Sequence, residues 1–121
     1  MRIGADIEEH GRFRRLVEKP SFVERVYTPT ERRYIQAAGK RAHLAAAGLF
    51  CAKEAAAKAL GLGLFGLRPN EIEIDHDEKG APILRLLGAA KARFPQAEFS
   101  LSISYSREYA MAAALTWDRQ A

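Results

Sequence analysis

The chain has 121 residues, 48% hydrophobic and 28% charged, with a formal net charge of +4. That length suits one core, so a single domain over residues 1–121 is expected, and the composition excludes a fibre or a disordered chain. No run of about 18 apolar residues could span a bilayer. The start Met1-Arg2-Ile3 carries no signal-peptide pattern, and the lone Cys51 can make no internal disulfide, which suits a reducing, cytoplasmic setting.

Arg2 to Ile7 reads as a short strand with Asp6 near its end, followed by Glu8 and Glu9. Three carboxylates in four residues repel one another unless a cation sits close. Oxygen donors at that spacing suit a hard metal ion, although acidic residues after a strand also begin helices. Gly11 to Glu18 is expected to be a basic helix, with Arg12, Arg14 and Arg15 around Phe13, Leu16 and Val17. Ser21 is placed to cap a second short helix holding Phe22, Val23 and Val26. Thr28-Pro29-Thr30-Glu31 has the form of a capping box with proline at the first helical position, so a helix over Pro29–Ala38 follows, ended by Gly39. From His10 to Arg41, nine Lys/Arg stand against three Glu. Such a region attracts an acidic partner. Its aromatic residues form no base-stacking array among the arginines, so nucleic acid is not expected.

The centre of the chain is Arg41 to Gly66, whose first twenty or so residues are strong helix formers and whose Gly61, Gly63 and Gly66 stop the helix. Its alanines and Gly48 leave a surface of little bulk, open to close approach by another backbone. Within it sit Lys53, Glu54 and Lys58, with Glu54 and Lys58 four apart in the order that favours an ion pair. A carboxylate beside two amines, ahead of a glycine-rich turn, could hold a metal ion and phosphates; the plain alternative is a solvent-facing Glu–Lys pair. Asn70–Ile74 and Pro82–Leu87 read as a hairpin around Asp77-Glu78-Lys79-Gly80, and Gly88–Phe94 as a short helix or turn. Phe99–Ser104 and Tyr109–Trp117 read as a last hairpin. The fold class expected is α+β, with a long helix and shorter N-terminal helices packed on a mostly antiparallel sheet.

Four segments, Ile3–Glu9 (IGADIEE), Phe50–Gly63 (FCAKEAAAKALGLG), Ile72–Pro82 (IEIDHDEKGAP) and Ser102–Ala110 (SISYSREYA), together resemble the holo-acyl-carrier-protein synthase group of 4′-phosphopantetheinyl transferases. The resemblance covers nearly the whole chain. It implies a transferase that moves phosphopantetheine from coenzyme A to a serine of an apo carrier protein, releasing adenosine 3′,5′-bisphosphate. By the same resemblance, Asp6 and Glu54 would hold magnesium, and Lys58 would contact phosphate. Coenzyme A would meet Lys58, Gly80, Pro82, Ser104 and Tyr105, and Arg41, at the start of the central helix, is placed to add a charge from a neighbouring subunit. An acidic acyl carrier protein would meet Arg12, Arg15, Phe22, Arg25 and Val26. A homotrimer with active sites across subunit interfaces is implied as well. Glu8 is either a further ligand or a solvent carboxylate. In three places the sequence departs from the family pattern: Leu49 stands where Arg is usual, Tyr105 where His is usual, and Ala81 where Lys is usual. Each removes a cation or potential cation from the coenzyme A side. The departures predict weak discrimination of the 3′-phosphate unless Arg41 supplies the charge. They also leave open a second reading, a non-catalytic relative that binds carrier proteins or assembles with a partner.

Overall fold

The computed structural model describes residues 1–63 and 66–120. Strand β1 (Arg2–Glu9) is followed by three short helices, α1 (Phe13–Leu16), α2 (Pro20–Val26) and α3 (Pro29–Ala37), then the long α4 (Ala42–Ala59). Strands β2 (Ile72–His76) and β3 (Pro82–Leu86) lead through α5 (Gly88–Arg93) to β4 (Ala97–Tyr105) and β5 (Tyr109–Asp118). The expected α+β arrangement is present, but the strands divide into an antiparallel sheet of order β1-β5-β4 and a separate β2-β3 hairpin. β1 runs to Glu9 because it pairs with β5 residue by residue, from Arg2↔Thr116 to Glu9↔Tyr109. The acidic run therefore stays in the strand instead of opening a helix.

The inner face of β5 presents Ala110, Ala112 and Ala114, all fully buried, to a face of α4 made of Ala52, Ala55, Ala56 and Ala59. Alanine against alanine lets helix and sheet approach closely. Backbone meets backbone at Gly4, where a Cβ would lie 2.1 Å from the Ala55 carbonyl oxygen and 2.5 Å from the Ala59 nitrogen. β1 thus crosses α4 at backbone contact, two residues before Asp6. Bulk is supplied from the other side of α4 by Phe13, Tyr27, Leu49, Ile72 and Ile74. Gly61, at φ +82°, ends the helix. The Leu62 amide donates to the Ala57 carbonyl at 3.0 Å and the Gly61 amide to that of Lys58 at 2.9 Å, the paired bonds of a Schellman motif. Within the expected Arg41–Gly66 stretch, Leu64 and Phe65 lie outside the described residues.

The capping box forms as the sequence suggests: the Glu31 amide donates to Thr28 Oγ1 at 3.3 Å, and the Thr28 amide to Glu31 Oε1 at 2.9 Å. The same carboxylate does more than cap. Its Oε1 lies 2.7 Å from Lys53 Nζ, and its Oε2 accepts the Ile74 amide at 2.7 Å. Lys53 also donates to the carbonyls of Pro69, at 2.9 Å, and Ile72. Lys53 is therefore not a phosphate-facing amine beside Glu54. It is a buried cation joining α4 to α3 and β2. Among the described residues, no helix is long and apolar enough to cross a membrane.

Candidate active site

Asp6, on the inner face of β1, and Glu54, on α4, are brought together by the contact at Gly4. Asp6 Oδ1 lies 3.2 Å from Lys58 Nζ, and Lys58 also donates to the Ala5 carbonyl at 3.0 Å. Lys58 thus pairs across to the strand, and the Glu54–Lys58 pair expected along the helix does not form. The remaining oxygens are the informative ones: Asp6 Oδ2 and Glu54 Oε2 are buried and have no hydrogen-bond partner among the described residues. Buried carboxylate oxygens are costly when left unpaired. Burial, and then the negative charge of Asp6 and Glu8, push the Glu54 carboxyl above its ordinary value, with Lys58 pulling the other way. Cys51 lies behind them, its thiol hydrogen-bonded to the Ala110 carbonyl at 3.3 Å. Burial foremost, then Asp6 and Glu8, push that thiol up to about 12, so it stays neutral.

This donor set suits a hard cation. Among the described residues, no three His, Cys, Asp or Glu side chains converge into a closed cage. Two carboxylates, each with an oxygen that no described residue satisfies, fit magnesium, which keeps waters and takes further oxygens from substrate phosphates. Arg12 Nη2 donates to Glu8 Oε1 at 2.5 Å, while the Glu8 carboxyl stays beside Asp6.

The residues expected to meet coenzyme A divide into groups. Arg41 and Tyr105 line one cavity of about 330 Å³, together with Tyr34, Leu44, Ala37 and Ala45. Asp6, Glu54 and Lys58 are not among its lining residues. Tyr105 lies on Gly48, where a Cβ would fall 2.0 Å from the tyrosine hydroxyl. Burial pushes the Tyr105 phenol up to about 12, leaving it a neutral donor. Ser104 is exposed on the outer face of β4, opposite Met111. Gly80 and Pro82 belong to the β2–β3 hairpin, outside this cavity. Its His76 pairs with Pro82 and stacks on Tyr34, ring centroids 4.0 Å apart. Leu49 points into the core at 2% exposure, and Ala81 is exposed on the turn.

Of the residues expected to meet a carrier protein, Arg12, Arg15 and Arg25 are exposed and Phe22 is half-buried. Val26 is not available to a partner: at 2% exposure it belongs to the core, because it lies on the side of α2 turned toward the body of the protein. Sequence reasoning missed the aromatic cluster beneath these arginines, in which Phe22 stands 6.2 Å from Phe13 and 6.3 Å from Phe50 between ring centroids. It also missed Tyr34 as a wall of the Arg41–Tyr105 cavity. Both join segments far apart in sequence, so no local spacing marks them.

A family model described as the 4′-phosphopantetheinyl transferase superfamily matches residues 2–114. A holo-[acyl-carrier-protein] synthase from Caldanaerobacter subterraneus subsp. tengcongensis is 41% identical over 118 residues, covering 93% of this chain and 91% of the relative. One from Clostridium novyi is 42% identical over 119 residues, covering 93% and 84%. Among solved structures, a holo-(acyl-carrier-protein) synthase from Bacillus anthracis in complex with CoA (3′,5′-ADP) aligns with a TM-score of 0.80 at 34% identity, over 95% of this chain and 94% of that one. The Helicobacter pylori holo-[acyl-carrier-protein] synthase in complex with coenzyme A aligns with a TM-score of 0.81 at 31% identity, over 95% and 99%.

Proposed function

The chain belongs to the 4′-phosphopantetheinyl transferase superfamily, among its holo-acyl-carrier-protein synthases, and from that premise we propose that it transfers 4′-phosphopantetheine from coenzyme A to a serine of an apo acyl carrier protein in the cytoplasm. The serine oxygen attacks the phosphorus that bears the pantetheine arm. The new serine–phosphate ester forms as the bond to adenosine 3′,5′-bisphosphate breaks. The observation that carries this reading is the pair of partnerless buried oxygens, Asp6 Oδ2 and Glu54 Oε2, beside Lys58.

Asp6 and Glu54 are the residues that would hold magnesium, which supplies positive charge to the pyrophosphate and to the leaving phosphate. Lys58 is held by Asp6 and the Ala5 carbonyl, yet its side chain remains 45% exposed. One ammonium hydrogen is thus free to meet a phosphate oxygen. Glu54, directly or through a water it orders, is the proton acceptor for the serine hydroxyl. Arg41 and Tyr105 bind the nucleotide end of coenzyme A, with Gly80, Pro82 and Ser104 contributing backbone and side-chain contacts.

The two groups of residues line different regions of one chain, which supports a site completed between copies. A surface for that assembly is present. The outer face of the three-stranded sheet carries Ile3 at 69% and Ile7 at 62% exposure, in register with Leu115 and Met111. Apolar side chains so placed are unusual on a free surface. We read this face as the contact of a homotrimer.

The test is transfer by Asp6→Ala and Glu54→Ala variants with coenzyme A saturating and magnesium low. Both are expected to lose activity while keeping the wild-type circular dichroism spectrum. Near-normal rates in either would show that the cation is held elsewhere.

A further inference from the structure

We propose that the groove between α2, the 66–71 segment and α5 is a second docking element for the carrier protein, receiving acidic side chains beyond those that meet Arg12 and Arg15. The inference rests on the transferase reading above and adds a surface to it. The groove has a volume of about 600 Å³, and its walls carry Arg25, Arg68 and Arg93. Its one carboxylate is already engaged: Glu71 Oε2 accepts the Ala89 amide at 2.7 Å and the Ala90 amide at 3.3 Å. Arg93 donates to the Gly66 carbonyl at 3.2 Å, a neutral partner that leaves its charge uncompensated. Among the described residues, none of the three arginines is in an ion pair. Three guanidinium groups around one groove repel one another until an anion enters, and their planar forks suit carboxylates.

Continuity with the carrier-facing arginines commits the groove to that partner. The Arg12 guanidinium lies 5.0 Å from the Phe13 ring centroid and 6.0 Å from that of Phe50. Phe50 stacks on Phe22, and the Arg25 guanidinium lies 5.7 Å from the Phe22 centroid. Arg12 and Arg25 therefore both border one aromatic cluster, and Arg25 is also a wall of the groove. A partner that covers this cluster with carboxylates toward Arg12 and Arg25 meets Arg68 and Arg93 on the same groove. None of Asp6, Glu54, Lys58, Arg41 or Tyr105 lines the groove, which separates it from coenzyme A.

Steady-state transfer with apo acyl carrier protein decides the matter. The Arg68 side chain makes no hydrogen bond among the described residues, and its carbonyl's bond to the Glu71 amide is backbone only, so Arg68→Glu should fold as wild type. We expect its KM for the carrier to rise about tenfold, with kcat and the KM for coenzyme A within about twofold of wild type. Arg68→Lys should recover most of the loss, and high salt should narrow the gap between wild type and Arg68→Glu. The double variant Arg68→Glu/Arg93→Glu should exceed the single one. An unchanged carrier KM in both variants, with wild type fully active, overturns this inference and leaves the transferase reading intact. A rise in the coenzyme A KM alone overturns it too, by giving the groove to the nucleotide. Lost binding to duplex DNA with unchanged carrier KM likewise overturns it. No transfer by wild type removes both readings.

Discussion

At the level of single residues, the site is a set of charges whose partners are not all in the protein. Glu54 is the clearest case, since its Oε2 is buried without a hydrogen bond and the negative charge of Asp6 lies close by. Removing that charge should relieve the fold while disabling transfer. Glu54→Gln is expected to gain about 1 kcal/mol in metal-free denaturant titrations, and a loss of stability would mean that the carboxylate has a partner after all. Arg41 is the second case. With Leu49 in the core and Ala81 out on a turn, it is the cation that shares the Tyr105 cavity. One charge-assisted hydrogen bond is worth about 1.5–3 kcal/mol, so coenzyme A should bind roughly 10–100-fold tighter than dephospho-coenzyme A. Calorimetry on Arg41→Ala should find that preference erased. If the preference survives, another cation serves the 3′-phosphate. In the sequence, a strand end and an i,i+4 spacing draw attention to Asp6, Glu54 and Lys58, but only the family resemblance implies their roles, and the Glu54–Lys58 pair that the spacing suggests gives way to Lys58–Asp6. The destination of Lys53 could not be read there. A lysine beside Glu54 turns inward only because Glu31, on another helix, meets it.

At the level of elements, the Thr28 capping box was legible because all its parts lie within four residues. Its carboxylate also serves as the anchor for α4 and β2, which is a tertiary fact. Burial pushes Glu31 up and Lys53 down, and each holds the other charged. Removing one partner leaves an uncompensated charge in the core. Lys53→Met should therefore lose about 3–5 kcal/mol in a denaturant titration, and Lys53→Met with Glu31→Leu should recover much of it. If the double variant is no more stable than the single one, the pair does not act as a unit. The division of the strands into two sheets was not legible either. Alternation marks each strand, but which edges pair depends on contacts between distant segments. The approach of β1 to α4 could be anticipated only loosely, from Gly4 and the alanines of both surfaces.

At the scale of the whole molecule, the outer sheet face and the divided site lead to the same expectation. Ile7→Glu with Met111→Glu places charge on the proposed trimer contact. Sedimentation should show wild type as a trimer and this variant as a monomer, with transfer lost although Asp6, Glu54 and Lys58 are untouched. A fully active monomer would show that one chain carries a complete site. The central claim, transfer itself, is tested most directly by intact-mass measurement of an apo acyl carrier protein after incubation with this protein, coenzyme A and magnesium. The expected result is a gain of one phosphopantetheine on a single serine, matched by equimolar adenosine 3′,5′-bisphosphate and absent with Glu54→Ala. A carrier of unchanged mass, across a panel of carriers and at saturating coenzyme A, would contradict it.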